Sequence, residues 1–226
     1  PLEEELDRPI YILNDCNAAA VAESLYGPAR GVSDFVYLTL STGIGAGIYM
    51  GGRLQVGKDG NAGEVGCLLI DMEGRLTCGC GRPGHWQAYC AGASIPAYAR
   101  LLLEGDPGLE ESLLWRLMGG EWRRLTTPDI FAAARQEDRL ARRVVEAVGR
   151  LNAMGVASVI NAYDPALVVV GGGMALANRE LVLAPIRRWV GKYAQNRVPP
   201  IELTQLGDSN VLLGATAWAY QQLREG

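Results

Sequence analysis

The spacing of apolar and polar positions changes several times along this chain, and each change predicts an element. Residues 9–13 (PIYIL) form a short apolar run and predict a buried strand. It leads straight into NDCNAAAVAESLYG, whose Asn14-Asp15 opening and Ala-rich interior predict a helix. Phe35 to Leu40 and Ala46 to Met50 are apolar runs, and Ser41-Thr42-Gly43-Ile44-Gly45 between them predicts the tight turn of a hairpin. Residues 92–104 (GASIPAYARLLLE) carry apolar positions at helical spacing. In 105–126 a loop and a short helix are expected, with Trp115 and Trp122 packing rather than binding. Thr127-Pro128 predicts a further helix, with Thr127 as its N-cap and Pro in its first turn.

Arg139 to Tyr163 reads as one long helix, charged at its start and apolar towards its end, stopped by Asp164-Pro165. Leu167 to Val170 then predicts a fully buried strand that runs into Gly171-Gly172-Gly173. A helix over 178–194, a strand over Ile201–Thr204 and a last helix over 211–223 complete the pattern. Helix, buried strand, glycines, helix is the crossover unit of an α/β fold. No internal repeat is present.

Composition narrows the function classes. At 226 residues, with 49% apolar and 20% charged positions, the chain has enough apolar material for one large domain or two small ones. A net charge of −4 gives no electrostatic footprint for nucleic acid or an anionic membrane. No apolar run reaches bilayer length. Reduced cysteines without a targeting segment lead us to expect a cytoplasmic protein.

The densest chemistry lies between Glu64 and Gln87, which contains Cys67, Cys78, Cys80 and His85. A Cys-x-Cys pair with a nearby His and an upstream Cys suits tetrahedral zinc, and four protein ligands make such a site structural. Free cysteines often pack as small hydrophobes, but Cys78 and Cys80 sit in TCGCGRPGH, which has almost nothing apolar around them. An odd total of five cysteines argues against a disulfide framework.

Other positions keep two readings. Asp15 is either a helix cap or a carboxylate at the end of a strand, where open α/β sheets place ligands. The glycines beside Thr42 either serve the turn or let backbone N–H groups approach phosphate, with the Thr42 hydroxyl adding a donor. Gly171 to Gly173 either make a flexible turn or admit a ligand's sugar or ring close to the strand end. No P-loop motif occurs.

Taken together and in order, these motifs resemble the ROK family (repressors, open reading frames and kinases) over essentially the whole chain. The matching residues are Asn14-Asp15 with Asn17-Ala18, the turn LSTGIGAGI, Asn61 to Gly66, Cys78-Gly79-Cys80-Gly81 with Gly84, and LVVVGGG. The resemblance implies a ribonuclease H-like (actin-like ATPase) lobe with a mixed sheet, helices on both faces and a small zinc-binding loop. It further implies ATP-dependent phosphorylation of a glucose-like hexose at its 6-hydroxyl. Asp15 would be the general base, and Asn14, Glu64 and Gln87 would bind the sugar. Thr42, Gly43, Gly171, Gly172 and Gly173 would face the nucleotide, and Cys67, Cys78, Cys80 and His85 would hold the metal. Cofactors would be ATP, Mg2+ and structural Zn2+, and a homodimer or tetramer is expected.

Three departures stand out. Cys67 occupies the place of the family's His, and His85 that of a loop cysteine, which conserves three thiolates and one imidazole. Gln87 replaces a Glu. The family's N-terminal lobe, with its D-x-G-G-T phosphate motif, is not in this sequence. Residues 1–226 would thus be the large lobe, with a zinc loop at 64–87, a glycine turn at 168–175 and a C-terminal helix at 211–224. The expected explanation for that absence is a truncated sequence, such as a proteolytic remnant or a misplaced start codon, and the alternative is a separately encoded partner that supplies the other lobe. The alternative reading is a non-catalytic sugar-binding or assembly module.

Overall fold

The structure is a computed structural model and describes residues 2–225. Its centre is a five-stranded mixed sheet, and the strands are β1 (Phe35–Leu40), β2 (Ile44–Met50), β3 (Arg53–Leu54), β4 (Leu167–Gly171) and β5 (Ile201–Leu203). Their order is β3-β2-β1-β4-β5. The β1–β2 hairpin is antiparallel, with Leu40 opposite Ile44, and β4 lies parallel to β1, with Phe35 opposite Leu167. A long crossover separates β1 from its parallel neighbour, as parallel pairing requires.

Alternation along the strands builds two cores. Val36, Leu38, Leu40, Val168 and Val170 face one side, together with the buried stripes of α7 (Arg139–Tyr163) and α9 (Arg179–Tyr193). Phe35, Tyr37 and Val169 face the other side, against α2 (Asp15–Tyr26) and α10 (Asn210–Glu225). Both faces of the sheet therefore carry helices, which explains why β1 and β4 read as continuous apolar runs.

On the second side, small residues let the helices approach closely. A Cβ on Gly47 of β2 would lie 2.4 Å from the Cys16 carbonyl, so α2 sits directly on the hairpin. A Cβ on Gly214 of α10 would lie 1.6 Å from the Ala18 carbonyl, so the two helices meet backbone to backbone. The Ala-rich interior of α2 is buried throughout Ala18–Ala22.

Remaining helices are α1 (Leu2–Leu6), α3 (Gln87–Cys90), α4 (Ile95–Leu103), α5 (Leu113–Leu117), α6 (Thr127–Arg135) and α8 (Gly173–Ala177). Trp115 and Trp122 pack edge to face, 6.5 Å apart, against the larger core. Asp164 ends α7 in the left-handed conformation, with φ of 45°.

Three sequence expectations are corrected. Residues 9–13 form no strand, and Ile12 is 92% exposed. Its apolar pattern finds no ladder partner among the described residues, and a strand needs one. The cap of α6 is Thr126, one residue earlier than expected, because Asp129 completes a capping box with it. Thr127 instead donates through its hydroxyl to the Gly92 carbonyl at 2.6 Å. Gly173 is the first residue of α8 rather than part of a loose turn, and only Gly172 of the three glycines has a positive φ, 91°.

Candidate functional site

The sheet ends, the start of α2 and the Glu64 segment enclose a cavity of about 480 Å³. Asn14, Asp15, Thr42, Gly43, Glu64, Gln87 and Gly172 all line it. Residues far apart in sequence thus converge on one site.

Asn14, not Asp15, caps α2. The Asn14 side chain is the helix cap, accepting from the Cys16 and Asn17 N–H groups at 2.9 and 3.2 Å. Asp15 is the first helical residue, its Oδ1 accepting from the Cys16 N–H at 2.8 Å, and its carboxylate is exposed on the cavity wall. Beneath it the Cys16 thiol is driven upward in pKa, first by burial and then by the adjacent Asp15 charge, and stays protonated.

Glycine contacts set the position of Glu64. A Cβ on Gly63 would lie 2.0 Å from the Ala46 carbonyl, and one on Gly66 would lie 2.3 Å from the Ile44 carbonyl. Only a segment with glycine at both positions can lie this close to β2, and the Ala46 N–H donates to the Gly63 carbonyl at 2.8 Å. Glu64, between them, is left exposed at the cavity.

The Ser41–Gly43 turn is held from behind. Gly92 and Ala93 donate their N–H groups to the Ser41 and Thr42 carbonyls at 2.7 and 3.2 Å. On its far side the turn also borders a second cavity of about 430 Å³, which includes Gly173, Asn178, Phe131 and Arg135. The Arg135 guanidinium donates to Asn178 Oδ1 at 2.6 Å. Gly171 lines neither cavity; a Cβ there would meet Tyr37 Oη at 2.3 Å, so packing alone explains this glycine.

Sequence reading missed Tyr37 and Asn210 on the first cavity and Phe131, Arg135 and Asn178 on the second. Asn210 Nδ2 donates to Tyr37 Oη at 2.9 Å, and burial pushes the Tyr37 hydroxyl up to about 12. Tyr37 lies inside an apolar strand and Asn210 at a helix start, so both resemble ordinary structural residues until the fold joins them.

Next to the first cavity, Cys67, Cys78, Cys80 and His85 bring their ligand atoms within 4.8 Å of one another. Cys80 Sγ and His85 Nδ1 are 3.2 Å apart, and the Cys80 N–H donates to Cys78 Sγ at 3.4 Å. Three sulfurs and an imidazole at this spacing fit a tetrahedral metal. The loop is fixed at its other end by Asp71, which accepts from the Arg75 Nε at 3.0 Å and from the Tyr89 hydroxyl. Those bonds, Arg75 first, hold the Asp71 carboxyl at about 2.

The ROK family profile matches residues 1–222. Glucokinase from Aeropyrum pernix is 39% identical over 216 residues, covering 94% of this chain and 66% of its own length. The structure of a ROK family glucokinase from Streptomyces griseus in complex with glucose and AMPPNP superposes with a TM-score of 0.83 at 33% identity, over 97% of this chain and 71% of that one. ROK hexokinase from Thermus thermophilus gives 0.81 at 35% identity, over 100% and 70%. The chain therefore spans about two thirds of the length of these relatives. Among the described residues, no helix is long and apolar enough to cross a membrane.

Proposed function

The chain belongs to the ROK family, and from that premise we propose that it is the large lobe of an ATP-dependent hexose kinase acting on the 6-hydroxyl of a glucose-like sugar. The observation that carries the reading is the convergence of Asp15, Glu64, Asn14 and Gln87 on one cavity whose wall is the Thr42-Gly43 turn.

In this reading Asp15 takes the proton from the sugar hydroxyl as its oxygen bonds to the transferred phosphorus, and the bond to the nucleotide's leaving oxygen breaks. A positioned carboxylate contributes roughly 10²–10⁴-fold to such a step. Glu64 and the amide of Gln87 accept hydrogen bonds from ring hydroxyls, and Asn14 offers its Nδ2 while its Oδ1 stays on the helix cap. A site built of fixed acceptors discriminates between sugars because a missing hydroxyl leaves an acceptor unpaired once the bound sugar covers it.

The backbone at Thr42 and Gly43 faces the phosphates, and Gly172 and Gly173 give close approach for the rest of the nucleotide. The second cavity, beyond the same turn, suits the nucleoside end, with Phe131 as an apolar face and the Arg135–Asn178 pair at its rim. ATP with Mg2+ supplies the phosphoryl group and neutralises its charge. The cysteines and His85 would hold Zn2+ as a structural cross-link of the loop that carries Gln87. The remaining third of the relatives' length corresponds to a second lobe that would complete the phosphate clamp and exclude water on closure.

The test is a coupled phosphorylation assay with ATP, Mg2+ and a hexose panel, run beside Asp15→Asn and repeated with the N-terminal lobe of a relative added in trans. Sugar-dependent turnover that survives Asp15→Asn would overturn the assignment of the base. Sugar binding without turnover in every condition would favour the binding-module reading, for which Gln87 and Cys67 are the supporting departures.

A further inference from the structure

Gln87 reaches both the cysteine cluster and the cavity. Its Nε2 lies 3.0 Å from Cys78 Sγ and 3.8 Å from Cys67 Sγ, while its side chain lines the cavity with Asp15 and Glu64. The amide oxygen points the other way. A Cβ placed on Gly66 would come within 3.2 Å of Oε1, and one on Gly43 within 3.7 Å, so Oε1 lies between the Gly66 backbone and Gly43 of the cavity wall.

Chemistry fixes this orientation once the cysteines hold a metal. A metal-bound thiolate only accepts hydrogen bonds, and of the two ends of a carboxamide only the NH2 donates. The nitrogen must therefore face the sulfurs and the oxygen the cavity. A carboxylate of the same length would bring an anion against two thiolates in a half-buried setting, where like charges repel strongly.

We propose that Gln87 couples the metal cluster to the sugar site: its N–H bonds to the Cys78 and Cys67 thiolates hold the amide so that Oε1 is presented to a hexose hydroxyl. The inference rests on the hexose reading above and adds a specificity-determining residue whose aim is set by the metal. Gln87 then belongs with Cys67 as a matched pair: a thiolate at 67 gives the amide nitrogen an acceptor. The neighbours His85 and Trp86 fix its backbone, since Trp86 donates through Nε1 to the buried Asn152 Oδ1 at 2.8 Å.

The experiment compares the whole chain with Gln87→Met, which keeps length but loses donor and acceptor, and Gln87→Glu, which loses the donor and adds a negative charge beside the thiolates. Each protein is loaded with Co2+ as a spectroscopic stand-in for zinc, its metal affinity is measured by chelator competition, and hexose binding is titrated with and without metal. The expected result is a shifted thiolate-to-cobalt charge-transfer band and metal affinity lowered by about tenfold or more in both variants, as for other partners of metal ligands. Stripping metal should weaken hexose binding in the wild type by several-fold and leave Gln87→Met almost unmoved.

An unchanged band and unchanged metal affinity in Gln87→Met would overturn the thiolate bond. A loss of hexose affinity on metal removal that is equal in wild type and Gln87→Met would overturn the coupling. A wild-type chain that binds no hexose at all would instead overturn the function reading, and the cobalt band would still decide the Gln87–thiolate bond by itself.

Discussion

Trp86 lies flat against Gly155 of α7: a Cβ on Gly155 would fall 2.4 Å from the indole Cδ2. Trp86 is fully buried, and it stands between His85 of the cysteine cluster and Gln87 of the cavity. The longest of the described helices therefore carries the cysteine loop on a contact that only glycine permits.

Gly155→Ala should accordingly destabilise the protein by about 1–3 kcal/mol through overpacking, although Ala is the better helix former. For a chain of this size each kcal/mol corresponds to about 2–4 °C of Tm. Thermal unfolding measured beside Gly191→Ala is the check, because a Cβ on Gly191 of α9 meets nothing within 4 Å. Equal Tm changes in the two variants would contradict the contact.

Asn14 caps α2 and, in the function proposed above, also binds the sugar; substitution can separate the two. Asn14→Ser keeps a capping oxygen and removes the amide nitrogen, so stability should hold while sugar KM rises. Asn14→Ala should also lose about 1 kcal/mol of helix stability with the cap. Chemical denaturation alongside sugar titration distinguishes them; identical stability of the two variants would mean that the cap is dispensable.

Asp71 predicts an acid limb of stability. Its carboxyl is held at about 2, below the ordinary value of 3.8, by Arg75 and Tyr89. The group binds fewer protons when folded, so its contribution is fully present above the unfolded value and is lost as pH falls from about 4 towards 2. Asp71→Asn should lower stability at neutral pH and flatten the stability profile over that window. A profile parallel to wild type between pH 2 and 4 would refute the linkage.

Metal removal should act locally. The cysteine cluster lies on the 64–87 segment, which reaches the main core through Cys78 and Trp86, whereas α7, α9 and the sheet supply the bulk of that core. Chelation, or Cys80→Ser, should abolish stoichiometric zinc, lower Tm and expose 64–87 to proteolysis while helix content by circular dichroism stays almost constant. Full retention of zinc by Cys80→Ser would remove Cys80 from the ligand set.

Glu23 offers the opposite sign from Asp71. It is fully buried on α2, bonded to Thr204, with Oε2 unpaired, and burial raises its pKa. Its stabilising influence is therefore greatest below the ordinary carboxyl range and fades as pH rises through the raised value. Glu23→Gln should make stability less dependent on pH in that range, measured by denaturant midpoints; a pH slope unchanged from wild type would show that Glu23 does not titrate there.

Local pattern was sufficient for the elements that bury a complete face. The apolar runs of β1 and β4, the Ala-rich α2 and the amphipathic α7 were legible because their periodicity records which side meets the core. Cys67, Cys78, Cys80 and His85 were legible as a cluster because the side chains of one loop lie close in sequence. What sequence left open was decided by neighbours brought from elsewhere. Residues 9–13 look like a strand, but a strand exists only as one side of a ladder, and Ile12 has no such partner here. Asp15 could have been cap or cavity carboxylate until Asn14 took the cap. Tyr37 and Asn210, separated by most of the chain, became a polar pair only when α10 packed on the sheet. Side-chain chemistry and period are properties of the chain, whereas convergence is a property of packing, and the cavity shared by Asp15, Glu64 and Gln87 exists only after the sheet, α2 and the glycine contacts at Gly63 and Gly66 have brought them together.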